Sequence, residues 1–562
     1  MNVLHDTPVE VAPGVLTAHG TDSDWWRGAV IYQIYPRSFQ DSNGDGIGDL
    51  QGITQRLPHI ADLGVDAIWI SPFFKSPQDD FGYDVSDYTE VDPMFGTMAD
   101  FDAMIAEAHR LGLKVMIDQV ISHSSVEHMW FKESRSNRTN IRKDWYVWAD
   151  AKPDGSPPNN WLSIFGGSAW EWDTSRCQYY LHNFLASQPD LNFHNPDVQN
   201  ALLDTVRFWL DRGVDGFRLD TINFYVHSAG LEDNPPLAEA DRNDSIAPAV
   251  NPYNYQSHLY DKNQPENIDF LKRFRALLDE YPAAAAVGEV GDAENGLDIV
   301  AQYTSGDDLV HMCYAFDFLS PEPINAPKVR KVLQDFERTA PDGWSCWAFS
   351  NHDVVRHASR WADQVLDRHG FLKMTATLIL ALRGSVCLYQ GEELGLTEAQ
   401  IAFEDLQDPY GIRFWPTFKG RDGCRTPMVW SNNMDAGGFS DAKPWLPSPP
   451  EHTHLSADLQ ERDADSLLNH YKEALAFRAR HRAFAKGDIN FVGEDPRVLA
   501  FTRGTDKAEI FCAINMSDQP AQFALPDNAG QALPSPGGGG RVDGKTLHLE
   551  PYGSYFAKRS LG

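Results

Sequence analysis

The chain has 562 residues and carries 80 Asp and Glu against 48 Lys and Arg, a formal net charge of −32. Nucleic acid repels a polyanion of this kind, because it rewards clustered lysine and arginine through counterion release, so the acidity reads as a solubilising surface and no nucleic-acid partner is expected. No apolar run of about 18 residues is present to cross a membrane, and the six cysteines (177, 313, 346, 387, 424 and 512) lack the short spacings of a zinc site or a disulfide frame.

Residues 1–24 have neither a basic start nor a continuous apolar stretch, so they do not resemble a secretion signal and are predicted to be an extension of a cytoplasmic protein. The first strand is predicted at "VIYQIYP" (30–36), and "DSNGDGIGDL" (41–50) follows it. Asp41, Asn43, Asp45 and Asp49 alternate there as oxygen ligands do in an EF-hand. The twelfth position is Gly52 rather than a bidentate Glu, however, and a β-branched run broken by Pro36 precedes the loop, so the EF-hand fold is excluded.

Further strands are predicted at "AIWISP" (67–72), "KVMIDQV" (114–120), "DGFRLD" (215–220), "AAVGEV" (285–290), "HMCYAF" (311–316), "CWAFS" (346–350) and "SVCLYQG" (385–391). Continuous apolar runs of this length suit strands buried on both faces. Helical patterns lie between them at 101–113, 198–213 and 270–280. Eight strands alternating with helices predict an α/β fold, a (β/α)8 TIM barrel over 25–123 and 196–485; a doubly wound open sheet is the alternative.

Residues 124–195, rich in Trp, Asn, Ser, Pro and Gly, are too many for one crossover and predict a small inserted domain after the third strand. Residues 398–460 predict a lid-like excursion over the barrel mouth. A helix over 466–481 then leads into a C-terminal antiparallel β-sandwich over 486–562, with strands at 498–503, 510–515 and 547–557.

In such a barrel the chemistry gathers where the strands end. The third strand ends in Asp118 and, just beyond, His123; the fourth in Arg218 and Asp220; the fifth in Glu289; the seventh in His352 and Asp353. A lone acid of this kind is more often a loop cap or an ion-pair partner, and Asp118 is assigned to that structural role. Three convergent acids with an arginine and two histidines equip a site for glycoside hydrolysis, in which one carboxylate attacks the anomeric carbon and another protonates the leaving oxygen. The arginine keeps the attacking acid ionised, and an apolar setting keeps the other protonated.

"DQVISH", "GFRLDTINF", "VGEV", "SNHD" and "QPDLN" (188–192) resemble the five short conserved regions of the α-amylase superfamily, glycoside hydrolase family 13. The likeness runs from about residue 25 to the end and is nearest to the α-glucosidase and oligo-1,6-glucosidase subgroup. It implies Asp220 as nucleophile, Glu289 as general acid/base and Asp353 as transition-state stabiliser, with Arg218, His123 and His352 holding the glucosyl ring. It also implies a structural Ca2+ or Mg2+ on the side chains of Asp41, Asn43, Asp45 and Asp49 and the Ile47 carbonyl. One departure is Ser122, where the family usually has Asn, which removes a ligand from any metal site between barrel and inserted domain.

"QDDFGYDVSDY" (78–88) resembles the pocket floor of exo-acting members. This implies that Asp80 pairs with Arg421 of "GRDGCRTPMVW" and binds the terminal sugar, that Tyr83 stacks on it, and that Phe165 and Phe184 wall the pocket. Thr221, where isomaltase-like members tend to carry Val, implies α-1,4 bonds in maltose-sized substrates, with sucrose also plausible. The expected activity is a retaining exo-α-glucosidase acting on small α-glucosides, with transglucosylation to sugar or alcohol acceptors. Oligo-1,6-glucosidase, sucrose hydrolase or isomerase and glucosyltransferase are its rivals. A non-catalytic transporter-associated subunit of the same fold would call for a membrane anchor. Monomer and dimer both remain open.

Overall fold

Eight strands whose residues are buried throughout, Lys114 excepted, explain why the sequence shows apolar runs rather than alternation: β1 (Val30–Ile34), β2 (Ala67–Ile70), β3 (Lys114–Gln119), β4 (Gly216–Leu219), β5 (Ala285–Glu289), β6 (Met312–Tyr314), β7 (Cys346–Ala348) and β8 (Ser385–Tyr389). This computed structural model describes residues 22–363, 365–505 and 508–560, so the predicted N-terminal extension lies, but for its last three residues, outside the described residues. The strands pair in parallel in the order β6–β5–β4–β3–β2–β1–β8–β7, and a parallel bridge between Cys313 and Ser345 closes the ring. The result is a (β/α)8 barrel.

Alternate residues of each strand feed two different cores. Tyr32, Ile68, Val115, Phe217 and Val386 face outward against the helices, while Ile31, Trp69, Met116, Val287, Met312, Cys346 and Cys387 fill the barrel interior. Close packing dictates the glycine before Glu289. At position 288 a Cβ would lie 2.4 Å from Ile222 Cδ1 and 2.9 Å from Cys313 Sγ, so nothing larger lets β5 sit between its neighbours.

Helix starts follow the capping residues more closely than the apolar period does. The helix expected from 101 runs Met98–Arg110, because Thr97 and Asp100 form a reciprocal capping box. The helix expected from 198 runs Pro196–Asp211, capped by Asn195 with proline in the first turn.

The segment after β3 carries a helix, Met129–Ser136, and a three-stranded sheet of Trp148–Ala149, Gln178–Leu181 and Trp170–Asp173 around a core that includes Trp161 and Trp170. Residues 398–460 are mostly irregular but include a helix, Pro409–Phe414. At the end of the chain, β9 (Val498–Thr505), β10 (Ala508–Asn515) and β11 (Ser554–Ser560) form the centre of a five-stranded antiparallel sheet; a three-stranded sheet shares its core. The single stretch expected over 547–557 divides into two strands. A turn over residues 550–553, with Tyr552 at φ +55°, sends Thr546–Leu549 into the smaller sheet and β11 into the larger.

Arg503 on β9 fastens this end domain to the barrel. Its guanidinium is fully buried and donates to the carbonyls of Ala381, Leu382, Phe484 and Gly487 at 2.6–2.9 Å. Burial pushes its pKa down to about 9. Arg503→Met leaves four buried carbonyls unpaired and is expected to cost about 3 kcal/mol. Chemical denaturation of the variant checks this; a loss under about 0.5 kcal/mol would show that solvent satisfies the carbonyls instead.

Candidate active site

β3, β4 and β5 deliver their acids to one point because each strand ends at the same rim, and a single guanidinium collects them there. Arg218 Nη1 donates to Asp220 Oδ1 at 2.6 Å and to Asp118 Oδ1 at 2.9 Å, while Nη2 donates to Glu289 Oε2 at 2.5 Å. Asp118 also accepts from Trp69 Nε1 and the Tyr83 hydroxyl, both at 3.1 Å, and Tyr314 donates to Glu289 Oε1 at 3.1 Å. Two carboxylates that meet the end nitrogens of one planar fork are brought together at the barrel mouth.

Thr221 sits between these acids in the left-handed region, φ 38°, ψ 53°. A β-branched residue is strained there. Its hydroxyl donates to Asp220 Oδ2 at 3.1 Å and its N–H to Glu289 Oε2 at 3.3 Å. Asp353, beyond β7, is held from three sides: Arg425 Nη2 at 3.0 Å, Arg421 Nη1 at 3.3 Å and His352 Nε2 at 3.1 Å. The Gln33 amide nitrogen lies 2.7 Å from His352 Nδ1, which places the ring proton on Nε2, toward Asp353 and the Tyr83 hydroxyl.

These surroundings push the acids apart. Burial raises Glu289 to about 8, against the pull of Arg218 and with help from the charges of Asp220, Asp353 and Asp118. Burial would raise Asp353 too, but His352, Arg421, Arg425 and Arg218 together hold it well below the ordinary carboxylate range. Asp118, likewise buried, rises to about 7 despite Arg218. Burial lowers His123 and His352, so both offer hydrogen bonds rather than charge.

A cavity of about 540 Å3 opens over this point, lined by Asp220, Glu289, Asp353, Asp80, Tyr83, His123, Thr221, His352, Arg421, Phe165 and Phe184 among others. Arg421 closes its floor, donating to Asp80 Oδ1 at 2.9 Å. The structure thus gathers every residue singled out in the sequence for the glucosyl pocket, with Arg218 directly beneath.

Several members of the site were not singled out in the sequence. Asp408, fully buried, accepts from the Arg421 backbone N–H at 2.7 Å and from its Nη2 at 2.9 Å, and so aims the guanidinium at Asp80. Gln188 Nε2 donates to Asp80 Oδ2 at 3.1 Å. Arg425, Tyr314 and the apolar wall at 246–250 also belong here. Asp408 and the wall lie in irregular segments where no period marks which side chains turn inward. "QPDLN" offered a foothold for Gln188, "GRDGCRTPMVW" for Arg425 and the strand "HMCYAF" for Tyr314.

The acidic loop 41–49 lies apart from the pocket. Its donors are all hard oxygens, which suit Ca2+ or Mg2+. In this conformation Asp41 accepts from the N–H groups of Asn43, Gly44 and Gly46 and from the Ser440 hydroxyl, and Asp49 caps the helix Leu50–Leu63 through Gly52. Asn43 and Asp45 are exposed. Among the described residues, no three His, Cys, Asp or Glu converge as metal ligands. Gly46, at φ +90°, lets the loop press on residues 443–445, since a Cβ there would meet the Lys443 carbonyl at 2.2 Å.

Known proteins resemble the chain over most of its length. A protein of Rhizobium meliloti (strain 1021) described as a probable alpha-glucosidase is 64% identical over 537 residues, 96% of this chain and 97% of that one. An oligo-1,6-glucosidase of Heyndrickxia coagulans is 36% identical over 541 residues, covering 90% and 94%. The crystal structure of the alpha-glucosyl transfer enzyme XgtA matches with a TM-score of 0.92 at 54% identity, over 95% of this chain and 99% of that one. The model of the alpha-amylase catalytic domain matches residues 33–487, and the chain, a glycoside hydrolase, belongs to the α-amylase family, in its α-glucosidase-like subgroup.

Proposed function

We propose that the chain is a retaining, exo-acting α-glucosidase that releases glucose from the non-reducing end of short α-1,4-linked substrates such as maltose. The observation that carries the reading is the Arg218 fork, which holds Asp220 and Glu289 together beneath a pocket closed by Asp80 and Arg421. Asp220 attacks the anomeric carbon while Glu289, protonated because burial raises it, gives its proton to the leaving oxygen. Glu289 then takes the proton of the incoming water. Asp353, kept ionised by two arginines and His352, offsets the positive charge that builds on the ring at each step. A sugar or alcohol can replace water in the second half-reaction, so transglucosylation follows from the same chemistry.

Terminal-sugar recognition falls to Asp80 and Arg421, since a buried pair presents both donor and acceptor to a hydroxyl. Thr221, whose family relatives of isomaltase type tend to carry Val, supports α-1,4 over α-1,6 specificity. The six free cysteines, five of them buried, support an interior, reducing location. The 41–49 loop is proposed to take a structural Ca2+ or Mg2+ through side-chain oxygens of Asp41, Asn43, Asp45 and Asp49 and the carbonyl of Ile47, bracing the loop rather than joining the reaction.

Initial rates on maltose, isomaltose and sucrose test the linkage, and faster cleavage of isomaltose than of maltose would overturn it. Asp220→Asn should lose roughly 10^4-fold or more in kcat, an amide being a poor nucleophile. Asp80→Ala should lower kcat/KM about 10- to 150-fold, the worth of one charged hydrogen bond to the substrate.

The pH profile follows from Glu289. As general acid it must carry a proton in the free enzyme, so kcat/KM should fall as pH rises through about 8. An alkaline limb near 5 would mean that Arg218 holds the acid ionised. For the metal, unfolding followed with EDTA and then with added Ca2+ should show a lower midpoint restored by the ion; identical midpoints would remove the cation from the proposal.

A further inference from the structure

β1 reads "VIYQI", and its single amide side chain, Gln33, follows Ile31 onto the face that turns into the barrel. Gln33 is buried, and an amide is costly there unless its hydrogens are used. Both are: Nε2 lies 2.7 Å from His352 Nδ1 and 3.1 Å from Ser71 Oγ. The His352 ring is itself packed on several sides. It stacks on Tyr83, with centroids 5.3 Å apart, and on Tyr35 at 5.7 Å, and Trp69 meets it edge-on at 6.1 Å. Packing therefore fixes where the ring lies, and the variable left is which nitrogen carries its proton.

The neighbours of Nε2 decide that question. It stands 3.1 Å from Asp353 Oδ2 and 2.6 Å from the Tyr83 hydroxyl, which spends its own proton on Asp118. A bare Nε2 would set its lone pair against the Asp353 carboxylate, whereas Nε2–H donates to it. Burial keeps the ring neutral, with Arg425 and Arg421 from the excursion after β8 and Arg218 from β4 adding to it and Asp353 opposing. Nδ1 of a neutral ring protonated at Nε2 is an acceptor, and the Gln33 amide is the donor that meets it. We propose that Gln33 is a positioning residue for the reaction: by donating to Nδ1 it keeps the His352 proton on Nε2, aimed at Asp353 and the glucosyl ring. The inference rests on the catalytic reading of Asp353 and His352 given above.

Maltose hydrolysis by two variants across a range of pH tests the proposal. Gln33→Leu removes the donor and should lower kcat/KM about 10- to 150-fold, the worth of a hydrogen bond to a charged group. Gln33→Glu puts a carboxyl in the same place, which accepts when ionised and donates when protonated. One more proton, on that carboxyl or on Nδ1, restores Nε2–H with Nδ1 satisfied, so Gln33→Glu should gain on Gln33→Leu as pH falls. A glutamine that only fills space predicts no such gain. A ratio between the two variants that stays flat with pH, or parental rates in Gln33→Leu, would overturn the proposal. Neutron diffraction from the deuterated parent protein gives a check that needs no variant to fold: a deuteron on His352 Nε2 and none on Nδ1 is expected, and the reverse sinks the idea. Parental turnover in Asp220→Asn would instead remove the catalytic reading and leave the tautomer as it is.

Discussion

One buried cation organises this barrel. Arg218 lies at the end of β4 with its guanidinium out of solvent, and three carboxylates, from β3, from the residue after β4 and from β5, accept its hydrogen bonds. Removing any of these charges from water costs several kcal/mol, so the cluster is tolerable only as a set. The set is also unbalanced, with three acids around one arginine. The surplus negative charge is relieved by protonation, and Glu289 and Asp118 are the acids that burial raises. The protonated acid that the proposed mechanism needs at Glu289 therefore follows from burial and from the acids crowded around Arg218.

The pocket above depends on a second arginine for its shape. A bare barrel mouth is open, and endo-acting enzymes use it as a cleft. Here Arg421, carried in from the excursion after β8, crosses the mouth to reach Asp80 from the loop after β2, and it meets Asp353 on the way. Asp408 makes this possible by accepting from the backbone and side chain of Arg421 at once. Closure from segments more than 300 residues apart in sequence turns a cleft into a blind pocket, and a blind pocket admits only chain ends.

The barrel and its acids were legible because the physics of a doubly buried strand leaves a mark: a continuous apolar run that stops at an ionisable residue. Asp220, Glu289 and Asp353 each end or follow such a run, so their convergence followed from counting strands. Asp408 and the wall at 246–250 left no mark, since irregular chain has no period to show which side chains face inward. The loop 41–49 shows the opposite difficulty. Its alternating oxygens read as cation ligands, yet those of Asp41 and Asp49 also serve as turn and helix caps in the folded chain, and one residue pattern satisfies both demands. The strand expected over 547–557 failed for a related reason, because the apolar alternation continued through a turn that Tyr552 and Gly553 impose.

Thr221 joins local strain to function. A β-branched residue at φ 38° is unfavourable by on the order of 1–3 kcal/mol, so neighbouring contacts must hold it. Those contacts are the two reacting acids: its hydroxyl reaches Asp220 and its N–H reaches Glu289. Glycine would relieve the backbone and lose the hydroxyl; valine would keep the branched shape and lose the hydroxyl alone. The strained turn thus lets one residue fix the Oδ2 of Asp220, leave its Oδ1 to Arg218, and stand at the pocket surface. Backbone strain and acid placement are in this way joined at a single position.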